Sequence, residues 1–335
     1  MILYLGNNLK SKQINQTTLA LLSNLLKSEG YSVKTTSSLK NQFLRLLLML
    51  WAIIKYRRKI DFVLIDTYST KNFYYAFATS QLSRFFKLNY IPILHGGNLP
   101  SRLDKSPTLS KLIFANSYRN VAVSNYLKHE FYIRGFDTAF IPNVLEIKNY
   151  PFLERGISTP KLLYVRAFAS IYNPEMAIKV LNQLKKEYPE ATLCMVGPEK
   201  DNSFKSCKAL VETLGLENSV EFTGMLSKKE WHKKSEGHNI FINTTNVDNA
   251  PVSVMEAMAL GLPIVSTNAG GMPFLIENNK TGILIEKNDI KAMVKAIDLL
   301  CKNKKTARSL ANNARKQAEK YNWSNVKQLW HDILQ

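Results

Sequence analysis

The residues with the clearest chemical potential lie between Asn243 and Ile276, in the sequence NTTNVDNAPVSVMEAMALGLPIVSTNAGGMPFLI. Asp248 stands eight residues before Glu256, so one carboxylate lies in a polar loop and the other lies within the helix that VSVMEAMAL predicts. The first N–H groups of such a helix, near Val252–Val254, have no helical partner and favour an anion such as phosphate. Carboxylates accept hydrogen bonds from sugar hydroxyls. Together these groups suit a nucleotide sugar.

Each of these residues also has a purely structural interpretation. Glu256 would then be a surface glutamate, although its apolar surroundings require a partner for a carboxylate. Asp248 would form an Asx-turn or a cap before Pro251. Arg166 directly follows the apolar run LLYV, where we expect it to bind phosphate from the end of a strand rather than to be an ordinary surface cation.

Short apolar runs alternate with longer amphipathic segments along the whole chain, which is typical of parallel sheets covered by helices. Two such sets are separated by an aperiodic, proline-containing stretch. The fold class is therefore α/β, with two doubly wound Rossmann-like domains facing across a cleft. The predicted organisation is a first domain over 1–147, a linker over 148–160, a second domain over 161–320 and a final helical segment over 321–335 that could cross back to the first domain. Thr306 is predicted as a helix cap, and Trp323 and Trp330 as anchors.

Composition excludes several protein classes. The 335 residues include 45% hydrophobic and 21% charged residues, which is a globular composition. The three cysteines lack the spacing of a zinc site or a disulfide framework, so we expect no metal and a reducing compartment. The chain shows neither a signal peptide nor an apolar stretch long enough to span a bilayer, and a cytoplasmic location is expected.

The charge is unusual, because 45 basic and 26 acidic residues give +19. Before residue 160 there are 21 basic and 8 acidic residues, so the excess lies mainly in the first half. Lys40–Lys59, KNQFLRLLLMLWAIIKYRRK, is apolar on nearly every face between basic ends. Two interpretations stay open for it: a core helix, or a helix at an anionic membrane surface on the inner face of the membrane. Nucleic acid is an unlikely partner because no nucleic-acid-binding motif is present.

The sequence resembles the retaining glycosyltransferases of family 4, or glycosyl transferases group 1, which have the GT-B architecture of two Rossmann-like domains. Their E-x7-E motif corresponds to Asp248-x7-Glu256, and the following A-M-A-x-G-x-P-V-V and G-G elements correspond to AMALGLPIV and Gly270-Gly271. Further similarities cover nearly the whole chain: HGGNLP at 95–100, VAVSNYL at 121–127, IPN at 141–143 and VEFTG at 220–224.

The resemblance implies a role for each site residue. Asp248 and His95 would contact the donor sugar, Arg166 the diphosphate and Glu256 the ribose. The remaining implied donor-binding residues are Asn249, Val252, Ser253, Val254, Gly224, Met225, Leu226 and Gly197. Three departures stand out: an aspartate replaces the first glutamate, Ile171 occupies the usual position of a diphosphate-binding lysine, and the loop after Gly6 lacks the usual glycine pair.

The sequence therefore predicts a hexosyltransferase that needs no metal or cofactor and retains the anomeric configuration. The donor would be a nucleoside diphosphate sugar, most plausibly of UDP or GDP. The acceptor would be a lipid-linked or saccharide precursor of a surface glycan, polysaccharide or glycolipid. The alternative is a catalytically inactive GT-B-like protein that binds a nucleotide sugar or acts as a scaffold.

Overall fold

The structure is a computed structural model that describes residues 1–6, 17–36, 39 and 41–335. The chain divides into two compact units, one formed by Met1–Val144 with Trp323–Gln335 and the other by Leu145–Asn322. The segment 148–160, predicted as a linker, groups with the second unit, where Tyr150 and Ile157 are buried. Both ends of the chain therefore contribute to the first unit.

The first unit contains a six-stranded sheet in which every strand pair is parallel. Its strands are β1 (Ile2–Leu5), β2 (Val33–Thr36), β3 (Phe62–Thr67), β4 (Asn89–Leu94), β5 (Asn120–Ala122) and β6 (Thr138–Phe140). The intervening helices are α1 (Thr18–Ser28), α2 (Gln42–Tyr56), α3 (Phe73–Phe85), α4 (Leu99–Lys105), α5 (Pro107–Phe114) and α6 (Asn125–Tyr132). The strand order 2-1-3-4-5-6 reverses direction at β1 and β3, so the unit's topological switch point lies there.

The second unit also contains a six-stranded parallel sheet. Its strands are β7 (Lys161–Val165), β8 (Thr192–Val196), β9 (Val220–Gly224), β10 (Ile240–Asn243), β11 (Ile264–Thr267) and β12 (Ile283–Ile285). Its helices are α7 (Pro174–Leu184), α8 (Ser203–Thr213), α9 (Lys228–Ser235), α10 (Val252–Ala259), α11 (Met272–Leu275), α12 (Ile290–Lys302) and α13 (Lys304–Glu319). The order β12-β11-β10-β7-β8-β9 is the Rossmann order, with its switch point between β7 and β10. The predicted α/β class is confirmed.

The final helix, α14 (Trp323–His331), belongs to the first unit. Trp330 is buried there among residues of α1, β1 and β4, and the indole N–H of Trp323 donates to Glu29 at 3.0 Å. These contacts place α14 on the same face of the sheet as α1.

The residues at the starts of two helices in the second unit show which side chains cap them. The helix in the tail begins at Lys304, and the Asn303 side chain accepts from the Thr306 N–H at 3.0 Å, so Thr306 is not the cap. Asn303 directly precedes the helix, so its side-chain oxygen can accept from the N–H of the third helical residue, which is Thr306 itself. Asn173 occupies the cap position before Pro174, but its side chain donates to Asn288 instead of capping α7.

Helix α2 has two different faces. Met49, Ala52 and Ile53 are buried against the sheet, whereas six large apolar side chains face solvent. The core interpretation of Lys40–Lys59 therefore holds for one face of the helix, and the other face is exposed to solvent. Lys40 itself lies outside the described residues. No helix in the described part of the chain is long and apolar enough to cross a membrane.

Candidate functional site

Arg166 and Asp248 meet at the topological switch point of the second unit. Arg166 directly follows β7 and Asp248 lies in the loop after β10, so the carboxyl ends of two neighbouring strands carry them. The guanidinium of Arg166 donates to the Asp248 carboxylate and lies 4.2 Å from the centre of the Tyr172 ring. Among the described residues, nothing accepts from the buried Nε–H of Arg166. Asp248 therefore does not satisfy every N–H of this guanidinium.

The loops after β7 and β10 are connected by hydrogen bonds. The Asn246 N–H donates to the Ile171 carbonyl at 2.9 Å, and the Thr244 hydroxyl contacts the carbonyls of Tyr172 and Asn173 at 3.0 and 2.8 Å. Ile171, at the position where the resemblance leads us to expect a lysine, is an exposed aliphatic side chain. These backbone contacts therefore fix the loop, and Ile171 supplies no charge to it.

The glycine pair 270–271 supports the Asp248 loop. A Cβ on Gly271 would come within 1.8 Å of the Asn249 carbonyl oxygen, and one on Gly270 within 2.3 Å of the Asp248 carbonyl oxygen. The Gly271 N–H donates to that Asp248 carbonyl at 2.9 Å. The close approach is therefore to the chain's own backbone, and it holds the segment carrying Asp248 and Asn249 in place.

Helix α10 begins directly after this loop, with Pro251 at its cap position. Proline has no N–H, and within the part of the chain that the structure describes the N–H groups of Val252 and Ser253 have no hydrogen-bond partner. The Val254 N–H contacts the Pro251 carbonyl at 3.0 Å. Of the three amides expected to bind an anion, two are thus open and one is already paired.

Glu256 is buried in α10 and is surrounded by three polar groups that the sequence interpretation did not assign to the site. The Tyr150 hydroxyl donates to Oε1 at 2.9 Å, the Lys228 ammonium lies 2.6 Å from the same oxygen, and the His232 imidazole lies 3.8 Å from Oε2. Burial favours the neutral acid, but His232 and Lys228 outweigh it and lower the pKa of Glu256. The carboxylate is therefore held ionised in an apolar helix.

The strand ends of β8 and β9 lie next to each other. The Gly197 N–H donates to the Gly224 carbonyl at 2.9 Å, and a Cβ on Gly197 would come within 2.0 Å of the Arg166 carbonyl oxygen. Met225 is exposed, while Leu226 packs against the core that contains α10. This edge places Gly197 beside the Arg166 backbone and presents Met225 to solvent.

His95 lies in the first unit, after β4. Its Nε2 is 2.8 Å from the Asp66 carboxylate, which also accepts from the Tyr4 hydroxyl at 2.9 Å, and the Tyr68 ring stacks on the imidazole with centroids 5.2 Å apart. Asp66 is the penultimate residue of β3, next to the switch point of this sheet. The loop after Gly6, predicted to lack the usual glycine pair, lies in 7–16, outside the described residues.

Some of the residues that sequence reasoning missed had a signal. Lys228 and His232 are four residues apart in KKEWHKK, a spacing that places both on one face of α9, and a buried Glu256 requires such partners. Asp66 ends the apolar run FVLID, where a strand end meets the switch point. Tyr150 had no local signal, because its contact with Glu256 depends on how 148–160 packs. Across the described residues, no three His, Cys, Asp or Glu side chains are grouped to bind a metal ion.

The sequence comparisons cover about half of the chain. Residues 154–317 match the model of the family glycosyl transferases group 1. An uncharacterized glycosyltransferase of Haemophilus influenzae is 32% identical over 158 residues, which are 47% of this chain and 44% of that relative. The chain thus aligns with less than half the length of this curated relative.

The structural comparisons cover both units. HepE of Anabaena in complex with UDP has a TM-score of 0.78 at 17% identity over 99% of each chain. Sucrose-phosphate synthase from Thermosynechococcus elongatus has a TM-score of 0.83 at 16% identity, over 99% of this chain and 98% of that one. These similarities confirm the predicted GT-B fold. Residues 154–317 of this chain are similar to the family glycosyl transferases group 1.

Proposed function

We propose that this protein transfers a hexose from a nucleoside diphosphate sugar to an acceptor with retention at the anomeric carbon. One observation carries the proposal: Arg166 and Asp248 meet at the Rossmann switch point, next to the open amides of α10. A diphosphate requires the cation and the amides, and a sugar requires the carboxylate as an acceptor. The similarity to glycosyl transferases group 1 supports this assignment.

Glu256 would hold the ribose. Its Oε1 is occupied by Tyr150 and Lys228, while His232 lies beyond hydrogen-bond distance from Oε2, so Oε2 is the oxygen with capacity for a ribose hydroxyl. Gly224, Met225 and Leu226 would border the base. UDP is the first candidate because UDP is the nucleotide named in the HepE complex, and GDP is the second.

The proposed reaction breaks the bond between the anomeric carbon and the diphosphate oxygen and forms a bond from that carbon to an acceptor hydroxyl on the same face. The hydroxyl proton passes to the departing phosphate oxygen. Negative charge accumulates on the leaving diphosphate, where Arg166 and the α10 amides would stabilise it without a metal ion. Asp248, Asn249 and His95 would orient the sugar.

The acceptor would be a lipid-linked or saccharide precursor of a surface glycan. The excess of basic residues in the first unit favours an anionic acceptor or an anionic surface around it. We accordingly propose a cytoplasmic location with peripheral attachment to the inner face of the membrane.

A thermal-shift screen with UDP-, GDP-, ADP- and CMP-sugars tests the donor assignment. A ligand at about 100 times its Kd stabilises a protein by about 2.7 kcal/mol, so a true donor is expected to raise Tm by several degrees. Release of nucleoside diphosphate, measured with EDTA present, then tests turnover. The Arg166→Ala variant is the matched control and is expected to lose both signals. If no nucleotide sugar raises Tm, the proposal is wrong.

A second function has one observation in its favour. Ile171 supplies no charge where the family usually has a lysine, and Arg166 already shares its charge with Asp248. A nucleotide-sugar-binding protein without turnover would tolerate this weaker diphosphate site. That function would be identified by tight binding of a nucleotide sugar together with neither hydrolysis of the donor nor transfer to any acceptor.

A further inference from the structure

The solvent-facing side of α2 is apolar over its whole length. Phe43 is 68% exposed and Trp51 is 53% exposed, on a helix of 15 residues. The other exposed large apolar side chains of this helix are Leu44, Leu47, Leu48 and Ile54. At 100° per residue these six fall within one broad stripe, opposite the buried Met49, Ala52 and Ile53. We name the six residues the α2 stripe.

A helix on the surface of a globular protein normally exposes its polar side. The inner face of α2 is already buried against the sheet, because Met49 and Ile53 pack with Leu3, Leu5 and Ile65. The α2 stripe is therefore not needed for the core of the unit. Contiguous exposed apolar surface of this kind marks an interaction site.

The charges around the α2 stripe have one sign. No acidic residue occurs between Glu29 and Asp61, and none occurs between Asp66 and Asp104. These stretches include all of α2 and α3, which pack on each other and are tied by a hydrogen bond from the Tyr75 hydroxyl to the Gln42 carbonyl at 2.9 Å. An anionic partner would meet no carboxylate from either helix.

The basic side chains cluster at the end of α2. Lys55 lies 4.3 Å from the centre of the Trp51 ring, and Arg57, Arg58 and Lys59 follow, all of them exposed. Lys55 thus runs along an aromatic side chain of the stripe and carries its charge at the stripe's edge. Long basic side chains adopt this arrangement at the boundary between apolar and polar layers of a membrane.

A second exposed aromatic residue lies beside this basic end. Phe85, at the end of α3, is 78% exposed and packs edge-on against Phe86, with centroids 5.1 Å apart. The Arg57 guanidinium lies 5.6 Å from the Phe86 ring, which connects the end of α3 to the end of α2. The apolar surface therefore continues past α2 with the same charge around it.

We propose that the α2 stripe docks the first unit on an anionic phospholipid bilayer. The helix spans about 22 Å at 1.5 Å per residue, so it would lie in the plane of the interface rather than across it. The stripe enters the boundary between headgroups and acyl chains, and Lys55 with Arg57–Lys59 binds the lipid phosphates. The docking does not depend on how the donor binds. If the proposed function is correct, docking would hold the protein at the surface where a lipid-linked acceptor resides.

Vesicle binding tests the proposal with the full chain. The test uses vesicles of phosphatidylcholine that contain about 30–50% phosphatidylglycerol. The protein is expected to sediment with these vesicles at low salt, and much of it is expected to be released at high salt. Trp51 is exposed, whereas Trp231 and Trp330 are buried and Trp323 is partly buried. The fluorescence of Trp51 is therefore expected to shift to the blue and to be quenched by lipids brominated on the acyl chain. The Trp51→Phe variant should bind and lose this quenching.

Two double variants distinguish insertion of the α2 stripe into the bilayer from non-specific hydrophobic adsorption. Leu47→Gln with Trp51→Gln removes the centre of the α2 stripe and is expected to reduce the pelleted fraction at least tenfold. Tyr132→Gln with Ile133→Gln is the matched control, since these side chains are 75% and 57% exposed in the same unit but lie outside the stripe. The control is expected to pellet like the parent protein, and both variants are expected to keep the parent Tm and nucleotide binding.

Several results would overturn the docking. Equal pelleting of the parent and its stripe variant rejects the proposal, and so does a parent protein that fails to bind the phosphatidylglycerol vesicles. A concentration-dependent dimer in sedimentation that the stripe variant abolishes, without vesicle binding, would assign the stripe to a second copy of the chain. A parent protein that binds vesicles but no nucleotide would reject the proposed function and leave the docking proposal intact.

Discussion

At the scale of single residues, Glu256 illustrates how a buried charge is maintained. A carboxylate in an apolar helix is costly unless it is paired and hydrogen-bonded, and Lys228 and Tyr150 supply these partners. The sequence revealed the charge in VSVMEAMAL but not its partners. Their approach depends on α9 and on the packing of 148–160, which no local pattern specifies. Sequence reasoning therefore found the carboxylate and missed most of its surroundings.

Replacing Glu256 tests its role directly. Glu256→Gln retains the shape and an acceptor for Tyr150 but removes the charge, and we expect nucleoside diphosphate affinity to fall by about 1.5–3 kcal/mol, or roughly 10- to 150-fold. Calorimetric titration with UDP and GDP measures this loss. Glu217→Gln, an exposed glutamate of the same unit, is the control and should bind as the parent does. Equal affinity in the parent and Glu256→Gln would contradict the ribose assignment.

The ionisation of Glu256 also predicts a pH dependence of stability. Its pKa in the folded protein lies below the ordinary value of 4.5, so the ionised form contributes stability above about pH 4.5 that is lost as pH falls through the folded pKa. The difference in free energy of unfolding between the parent and Glu256→Gln should accordingly shrink as pH decreases below 4.5. Urea titrations at several pH values measure it. A difference that stays constant or grows toward acid would show that Glu256 is not held ionised.

Arg166 provides a test of selectivity between ligand parts. Because its guanidinium would bind only the diphosphate, Arg166→Ala should weaken UDP by about 1.5–3 kcal/mol while changing uridine affinity little. Arg166→Lys keeps the charge and should recover part of the loss. Titrations with both ligands make the comparison, and an equal loss for UDP and uridine would remove Arg166 from the diphosphate site.

At the scale of elements, the alternation of strands and helices was readable from the sequence. β7, β8 and β10 begin and end where the segments KLLYV, TLCMV and IFIN predict. The short helices α4 and α5 were not predicted, because each covers only two turns and their apolar residues merge with the preceding loop. The sequence pattern also failed to predict that Asn303, and not Thr306, caps the helix in the tail.

The glycine turn after β11 gives a prediction about an element. A Cβ at residue 271 meets a backbone carbonyl, which cannot rotate away, so Gly271→Ala must displace the loop that carries Asp248 and Asn249. We expect a loss of about 1–3 kcal/mol in the free energy of unfolding together with weaker donor binding. Gly156→Ala, where a Cβ would meet nothing within 4 Å, is the matched control. Parent-like donor binding in a folded Gly271→Ala would show that the loop's position is not needed.

At the scale of the whole molecule, the first unit is assembled from both ends of the chain. Trp330 and Val326 of α14 complete the core formed by α1, β1 and β4, although more than 290 residues separate them from α1 along the sequence. The sequence predicted both the helical pattern of the tail and its return to the first domain, but no local signal specified which residues of the first unit it contacts. These contacts make the stability of the first unit depend on the last residues of the chain.

Trp330→Ala tests this dependence. Removing a buried tryptophan costs about 3–5 kcal/mol, and the loss should fall on the first unit, so amide hydrogen exchange is expected to accelerate in β1, β3 and β4 while β7–β11 keep the protection of the parent. Trp51→Ala is the matched control, since the Trp51 side chain is exposed and its removal should leave exchange in the sheet unchanged. UDP binding, assigned here to the second unit, should survive in Trp330→Ala. Equal acceleration in both sheets would mean that the two units unfold as one, and the chain ends would then stabilise the donor site as well.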